Sequence, residues 1–461
     1  MTFTMLASTL AAVAETVGGV LEGADPSMPV RAVVTDSRAA GAGAVFIALR
    51  GERTDGQRFV GDALAAGAAA AIVREDASFE GPVIRVADPL LALRDLAAAA
   101  RARLDATVIA VTGSSGKTGT KDLIAAACSG VRRTVASEAS YNNEIGVPLT
   151  VLAADERTEV LVVEIGSRGP GHIRSLLPVV GHHIAVLTNV GSAHLGMFGS
   201  IEATAAAKAE LLEEFANGTA VLNADDPAVR AMAEGTDARV VLAGRAADAH
   251  VRATEITMDE AACGTFTVEA RGERARVRLR LPGEHAVANA VLAIAAALEA
   301  GIGIQDAARG VETCEPAPWR MEVRRAPRGT TIINDAYNAN PDSTAAALKT
   351  LATMGKGKPT WAVLGVMAEL GEHHVAEHDR IGRLAVRVGI GHLITVGDDA
   401  RAIHEAARLE GMFGGEAVFA PVIDDALAIL REQLTPDAVV LVKASRAAGL
   451  ERIAHALEEL T

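Results

Sequence analysis

The sequence predicts an α/β protein of three domains, and three observations lead to this prediction. The chain has 461 residues, which corresponds to three domains of about 150 residues each. Half of the residues are apolar, as expected of a globular protein with sizeable cores. Short apolar runs alternate with alanine-rich helical stretches along most of the chain, and this alternation is typical of sheets covered by helices.

The short apolar runs are the predicted strands. Where helical stretches separate them, they predict parallel sheets with helices on both faces. In the central and C-terminal parts these runs are Val108–Val111, Val160–Ile165, Ile184–Leu187, Ala220–Leu222, Val240–Ala243, Thr331–Ile333, Ala362–Leu364, Leu393–Val396 and Ala438–Val442. Shorter and more closely spaced runs come first in the chain: Ala32–Thr35, Val45–Ala48, Ala70–Val73 and Val83–Val86.

Two features mark the predicted domain boundaries. One lies near Leu104, just before the first long strand, and the other at 316–318, where two prolines interrupt the pattern. The predicted domains are therefore residues 1–104, 105–316 and 317–461. Polar and apolar residues alternate over 264–281 and predict an antiparallel hairpin. We interpret the mildly apolar residues 1–20 as a helix of the fold.

The composition argues against several classes of protein. The formal net charge of −14 disfavours a general nucleic-acid binder, although a local basic pocket for a small anion is compatible with it. No apolar run reaches the roughly 18 residues of a membrane-spanning helix. The N-terminus carries Glu15 and lacks the basic segment of a signal peptide. The three cysteines form no CxxC pair, so we expect a reduced, cytoplasmic compartment without disulfides or a zinc cluster.

The strongest local motif is a shortened phosphate-binding loop. The segment 112–118 reads Thr-Gly-Ser-Ser-Gly-Lys-Thr, follows a predicted strand and precedes a helix from about Gly119. Lys117 would neutralise the β- and γ-phosphates, and the Thr118 hydroxyl would ligate Mg²⁺. Val111 stands where the full eight-residue pattern has glycine, so an incidental Lys-Thr pair after a Gly/Ser turn is the alternative. The backbone N–H groups that can hold phosphate oxygens are those of Gly113, Ser114, Ser115 and Gly116.

Polar residues close several predicted strands, where open parallel sheets bind their ligands. Glu164 ends an apolar run, and a carboxylate beside a nucleotide can bind Mg²⁺ directly or through water. Asn189 ends another run, with His194 five residues later, and Asp225 and Asp335 follow two more. Any one of these residues alone could equally be a helix cap or a loop residue. Several of them around one phosphate loop favour a site.

The remaining histidines carry a weaker signal. His373, His374 and His378 have spacings that superficially suggest a metal site, but no further ligand cluster accompanies them. We interpret this stretch as a solvated helix face. His182 and His183 begin a strand, and we assign them no role.

Further motifs, taken in chain order, resemble one known family. They are Asp36-Ser37-Arg38, Gly51, Asp55-Gly56, Phe59, the loop 112–118, the segments 140–148, 164–166, 188–195, 208–210 and 283–289, and Arg320. Together they cover nearly the whole chain and resemble the Mur ligase family, which makes the peptide part of the cell-wall precursor. Tyr337-Asn-Ala-Asn-Pro341 resembles the member that adds D-alanyl-D-alanine, and no Asp-Asn-Pro-Arg segment, typical of the third-residue ligase, occurs.

Three positions depart from that member's usual pattern. Asn334 stands in place of the first of two consecutive aspartates. Val366 replaces the aspartate of Leu-Gly-Asp-Met, so we assign no role there. Ala444 replaces the glycine of Lys-Gly-Ser-Arg and would restrict a turn that glycine leaves free.

The resemblance implies a small N-terminal α/β domain for the UDP-sugar, a central P-loop-type ATPase domain with a parallel sheet, and a C-terminal Rossmann-like domain. It implies an ATP-dependent, ADP-forming ligase that joins D-alanyl-D-alanine to UDP-N-acetylmuramoyl-tripeptide through an acyl phosphate, with ATP and Mg²⁺. Neither nucleic acid nor a membrane span is expected, and we expect a monomer. A related ligase with another donor or acceptor, or a nucleotide-binding regulatory protein without catalysis, remains open.

The resemblance also implies residue roles. The catalytic residues would be Lys117, His194 and Lys208. ATP would be bound by residues 113–118, with Asn289 at adenine, Asp335 at ribose and Arg320 at the phosphates. The substrates would be bound by Ser37, Arg38, Asn142, Asn143, Tyr337, Asn338 and Asn340. The metal ligands would be Thr118, Glu164 and Lys208, the last after carbamylation by CO₂.

Overall fold

Three sheets, each packed against helices, make up the computed structural model, which describes residues 3–51, 54–191, 195–327 and 329–459. The predicted α/β architecture is confirmed. Within these ranges, no helix has the length and apolar character needed to cross a membrane.

The first sheet has six strands in the order β1-β3-β4-β5-β6-β2, with β3 to β6 parallel and both edge strands antiparallel. Its strands are β1 Phe3–Thr9, β2 Val20–Glu22, β3 Pro29–Val34, β4 Ala44–Ile47, β5 Ala70–Arg74 and β6 Val83–Val86. Its helices are α1 Leu10–Thr16, α2 Val60–Ala65 and α3 Pro89–Arg101.

The predicted helix at the N-terminus is wrong for its first half. Residues 3–9 form β1, because their backbone pairs with β3 and extends the sheet edge. The Thr9 side chain then accepts a hydrogen bond from the N–H of Ala12 and begins α1 directly after the strand.

The second sheet has nine strands in the order β15-β14-β13-β12-β11-β10-β7-β9-β8. Its strands are β7 Thr107–Thr112, β8 Thr134–Ala136, β9 Val160–Glu164, β10 Ile184–Leu187, β11 Thr219–Asn223, β12 Arg239–Gly244, β13 Val251–Met258, β14 Cys263–Ala270 and β15 Glu273–Pro282. Its helices are α4 Lys117–Ser129, α5 Gly146–Leu152, α6 His172–Val180, α7 Leu195–Phe198, α8 Ile201–Ala209, α9 Pro227–Ala231, α10 Glu284–Glu299 and α11 Ile304–Glu312. β14 and β15 pair antiparallel, which confirms the predicted hairpin.

The third sheet has six strands in the order β16-β17-β21-β18-β19-β20, all parallel except β16. Its strands are β16 Glu322–Arg325, β17 Thr331–Asn334, β18 Thr360–Leu364, β19 His392–Val396, β20 Ala417–Ala420 and β21 Val439–Lys443. Its helices are α12 Pro341–Met354, α13 His374–Arg387, α14 Arg401–Glu410, α15 Ile423–Gln433 and α16 Glu451–Glu458. A division at residues 104 and 316, between the sheets, remains our proposal for the domains.

The interpretation of residues 373–378 as a solvated helix face is wrong for His378, which is fully buried. Its Nε2 accepts a hydrogen bond from the N–H of Met367 at 3.0 Å, so its Nδ1 carries the proton and donates to the carbonyl of His374 at 2.7 Å. Burial lowers the pKa of His378 to about 4. The side chain is therefore a neutral support for the loop after β18.

The close packing of α13 on α14 leads to a stability prediction. A Cβ atom at Gly382 would overlap the carbonyl oxygen of Ile403, whereas one at Gly61 in α2 would meet open space. Gly382→Ala should destabilise the protein by about 1–3 kcal/mol through overpacking. Gly61→Ala, the matched control, should be neutral or stabilising by up to about 1 kcal/mol. Scanning calorimetry measures both variants, and an unchanged Tm for Gly382→Ala would contradict the prediction.

Candidate functional site

A cavity of about 730 Å³ lies between the carboxyl ends of the second and third sheets, and residues from both line it. Most of the residues singled out in the sequence meet here. They are Ser114, Ser115, Gly116, Lys117, Thr118, Asn142, Asn143, Glu164, Asn289, Arg320, Asp335, Tyr337, Asn338 and Asn340. Their convergence follows from topology, because β7 lies between β9 and β10, and β21 lies between β17 and β18.

The phosphate loop is held in place by the strand beside it. β7 leads into the loop and α4 begins at Lys117, so the first N–H groups of α4 lack partners within the helix. Thr188 donates a hydrogen bond to the carbonyl of Ser115 at 2.7 Å, and Asn189 Oδ1 accepts from the Ser115 N–H at 2.9 Å. Gly116 has a φ of 75°, and a Cβ there would come within 2.8 Å of Asn289. Glycine is therefore required at this position.

Lys117 folds back over the loop. Its ammonium donates hydrogen bonds to the carbonyl of Gly113 at 2.8 Å and to that of Ser114 at 3.3 Å. Burial lowers the pKa of Lys117, the negative charge of Glu164 opposes this shift, and the positive charge of Arg320 adds to it. A bound polyphosphate would supply the missing negative charge.

The residues at the end of β9 fit a hard divalent cation. Glu164 is 1% exposed; its Oε1 accepts a hydrogen bond from Asn142 Nδ2 at 2.7 Å, while its buried Oε2 has no hydrogen-bond partner. The hydroxyl of Thr118, also buried, lies 3.4 Å from that of Ser140. Leaving a carboxylate oxygen buried and unpaired is costly, and Mg²⁺ prefers such oxygen ligands. The described ranges contain no group of three or more His, Cys, Asp or Glu residues able to hold a metal, so phosphate and water oxygens would complete the set.

Arg320 links the two halves of the cavity. Its guanidinium donates a hydrogen bond to Ser140 Oγ at 2.6 Å and stacks 3.9 Å from the centroid of the Tyr337 ring. Trp319 and Met321, on either side of it, both have positive φ, at 59° and 51°. Such backbone strain persists only where surrounding contacts enforce it. Sequence reasoning gave Ser140 no individual role, although it begins a segment of the family resemblance.

A buried ion pair underlies the third-sheet side of the cavity. Asp335 accepts hydrogen bonds from the Met321 N–H at 2.9 Å and from Lys443 Nζ at 2.5 Å. Lys443 also donates to the carbonyl of Asn338 at 2.9 Å. Sequence reasoning gave this lysine no site role, although it ends a buried strand and begins the segment that resembles the family's Lys-Gly-Ser-Arg.

Two polar residues have clear structural roles. Asn340 lines the cavity, but its Oδ1 accepts the Ser343 N–H at 2.8 Å and caps α12. Asp225 follows β11 and accepts the N–H groups of Arg245 and Ala246. It does not line the cavity, so the loop-residue alternative holds for Asp225.

The N-terminal motif lies outside the cavity lining. Arg38 is largely exposed and pairs with Asp36 at 2.6 Å, and Ser37 begins the same short 3₁₀ turn. Burial raises the pKa of the Tyr141 hydroxyl, and the charges of Glu138 and Asp36 add to the shift. Asp36 is thus close enough to Tyr141 for its charge to act on that hydroxyl.

Lys208 is 1% exposed on α8 and does not line the cavity. Its ammonium lies 5.8 Å from the centroid of the Phe198 ring. Burial lowers its pKa from 10.5 to about 7, the charge of Lys117 adds to the shift, and Glu210 opposes it. Glu210 itself accepts a backbone N–H at the start of α6, from Arg174 at 3.0 Å. His194 lies outside the described residues.

Two of the three departures have a structural account. Ala444 is buried and is absent from the positive-φ residues of the described chain, so alanine fits its turn without backbone strain. Val366 acts through its backbone carbonyl, which accepts the Ser445 N–H at 2.9 Å. Asn334 accepts the Ala336 N–H at 3.3 Å, but its buried Nδ2 has no partner, and nothing in the structure explains the replacement.

Comparison with known proteins identifies the family. Three profiles match in succession: "Mur ligase family, catalytic domain" over 29–103, "Mur ligase middle domain" over 111–297 and "Mur ligase, glutamate ligase domain" over 319–446. The UDP-N-acetylmuramoyl-tripeptide--D-alanyl-D-alanine ligase of Mycobacterium tuberculosis (strain H37Rv) is 44% identical, with 98% of each chain covered. The enzyme of that name from Escherichia coli (strain K12) is 33% identical over 99% of each chain.

Solved structures of similar fold point to the same family. MurF from Acinetobacter baumannii superposes with a TM-score of 0.87 at 31% identity, covering 99% of this chain and 100% of that one. MurF ligase from Thermotoga maritima, in complex with ADP, superposes with a TM-score of 0.80 at 26% identity, covering 93% and 97%. The fold, the order of the motifs and the sequence identity agree, and the chain belongs to the Mur ligase family.

Proposed function

We propose that this chain is an ATP-dependent, ADP-forming ligase that joins D-alanyl-D-alanine to UDP-N-acetylmuramoyl-tripeptide. The observation that carries the proposal is that one cavity is lined from both sheets. The second sheet contributes Lys117 and Glu164, whose Oε2 has no hydrogen-bond partner among the described residues, and the third sheet contributes Tyr337 and Asn338. The names of the full-length relatives, and the ADP held by one of them, support it.

The first chemical step would join two anions. The tripeptide carboxylate attacks the γ-phosphorus of ATP, the bond to the β,γ-bridging oxygen breaks, and ADP leaves with that electron pair. Lys117, the N–H groups at the start of α4 and the guanidinium of Arg320 would offset the negative charge. Asn289 would contact the adenine and Asp335 the ribose. His194 is proposed to lie near the transferred phosphoryl group.

Magnesium is proposed as the cofactor, held by Thr118 and Glu164. It would supply positive charge to the phosphate oxygens when bound. Lys208, once carbamylated, would add an anionic oxygen ligand.

The second step would form the amide bond. The amine of D-alanyl-D-alanine attacks the acyl carbon, phosphate leaves with the electron pair of the C–O bond, and the amine loses a proton. Tyr337, Asn338 and Asn340 would hold the dipeptide. Because an acyl phosphate hydrolyses in water, closure of the third sheet over the second would protect it.

The UDP-muramoyl part would bind beside the first sheet. Ser37 and Arg38 would hold the UDP-sugar, and Asn142 and Asn143 would hold the peptide near Glu164. A cytoplasmic enzyme is proposed, since both substrates are water-soluble and charged. We also propose a monomer, because the cavity is lined by residues of one chain.

The substrate requirement gives a direct test. Purified protein should release phosphate from ATP only when UDP-muramoyl-tripeptide and D-alanyl-D-alanine are both present, because each supplies one half of the new bond. A coupled phosphate assay measures this, with each substrate omitted in turn as the control. Equal turnover with a single free amino acid in place of the dipeptide would contradict the proposal.

A further inference from the structure

Lys443 occupies a central position in the third sheet. It is the last residue of β21, which lies between β17 and β18, and it is 2% exposed. Its ammonium joins two points of the loop after β17, the carboxylate of Asp335 at 2.5 Å and the carbonyl of Asn338 at 2.9 Å. One side chain therefore sets the distance between these two groups.

Through Asp335, the same ammonium also influences residues 319–321, which connect the second sheet to the third. Asp335 uses its other oxygen to accept the Met321 N–H at 2.9 Å. Met321 follows Arg320, whose guanidinium donates a hydrogen bond to Ser140 Oγ, in the loop after β8 of the second sheet, at 2.6 Å. Without Lys443, the buried carboxylate would lose its countercharge and would no longer be fixed against either the loop or the linker.

We propose that Lys443 is a positioning residue that couples the ATP site to the dipeptide site. This inference rests on the proposed function, in which Asp335 contacts ribose and Asn338 contacts the dipeptide. Lys443 lines the cavity, but two of its three ammonium donors are already used within the protein, so we assign it a role through its neighbours. The residues proposed for the tripeptide belong to the first two sheets and their loops, and within the described chain none of them hydrogen-bonds to Lys443 or Asp335.

The expected result is a selective change in Michaelis constants. Lys443→Met, which keeps an apolar stem, should raise the KM for ATP and the KM for D-alanyl-D-alanine by about tenfold or more each, since each tenfold step corresponds to about 1.4 kcal/mol. The KM for UDP-muramoyl-tripeptide should stay within about twofold of the parent value. Lys356→Met, at an exposed lysine of the same sheet's loops, is the matched control and should change none of the three constants.

A second variant covers the case in which Lys443→Met fails to fold. Lys443→Met with Asp335→Asn removes both buried charges and should fold. Because Asp335 itself is proposed to contact the ribose, the constant that reports on Lys443 here is the KM for D-alanyl-D-alanine, which should again rise about tenfold while that for UDP-muramoyl-tripeptide stays within about twofold. A uniform rise of all three constants, or a fall in kcat alone, would overturn the inference. If the parent protein lacks ligase activity, the proposed function fails. In that case, ADP binding measured by titration calorimetry tests the inference about Lys443. Lys443→Met should still weaken ADP binding about tenfold, and unchanged binding would overturn the inference.

Discussion

Lys117→Ala should lower the rate of phosphate release by at least about a hundredfold, because the lost charge acts on the phosphoryl group during transfer. The lysine folds over its own loop, with its ammonium 2.8 Å from the carbonyl of Gly113. Burial lowers the pKa of Lys117, and a bound anion would offset this effect by stabilising the charged ammonium. The phosphates of ATP would provide that anion, and the contribution of Lys117 would then grow as negative charge develops between the attacking and leaving oxygens.

Steady-state kinetics and thermal unfolding separate this role from a structural one. The kcat of Lys117→Ala should fall while its Tm stays close to that of the parent. Its KM values for the tripeptide and the dipeptide should change little. Lys358→Ala, at an exposed lysine, is the matched control and should keep full activity. Near-native turnover by Lys117→Ala would show that the lysine has no part in phosphoryl transfer.

The features that the sequence predicts well are local. The phosphate loop and the carboxylate of Glu164 each follow a buried apolar strand, and parallel strands bring such ends to one edge. The features that it misses depend on pairing between distant segments. Strand β1 forms because residues 3–9 pair with β3, and His378 is buried because the loop after β18 needs a partner for the N–H of Met367.

The contact of Arg320 with Ser140 joins residues 180 positions apart, and that of Lys443 with Asp335 joins residues 108 positions apart. No local pattern marks either pair, because each is created by the order of strands and by the closure of one sheet over another. The family resemblance locates the segments that meet, but the particular partners require coordinates.

Lys208→Ala should be nearly inactive, and added formate or acetate should restore part of the activity. Lys208 is buried, and its pKa is lowered from 10.5 to about 7. Burial favours the neutral amine, which would attack CO₂ to form a carbamate and release a proton. The carbamate would place an anionic oxygen beside the metal proposed at Thr118 and Glu164. A small carboxylate can enter the space left by the side chain and supply the same kind of oxygen.

The dependence on pH gives this prediction a second measurement. The neutral amine predominates above about pH 7, and the ammonium returns as the pH falls through that value. Parent activity should therefore fall below about pH 7, and added CO₂ should restore part of it there, because protonation of the amine opposes carbamate formation. The rescued Lys208→Ala enzyme should lack that limb of the profile. The control is Lys349→Ala with and without formate, which should show no response. A Lys208→Ala enzyme as fast as the parent rules the role out, and so does a rescued variant that retains the same fall in activity below pH 7.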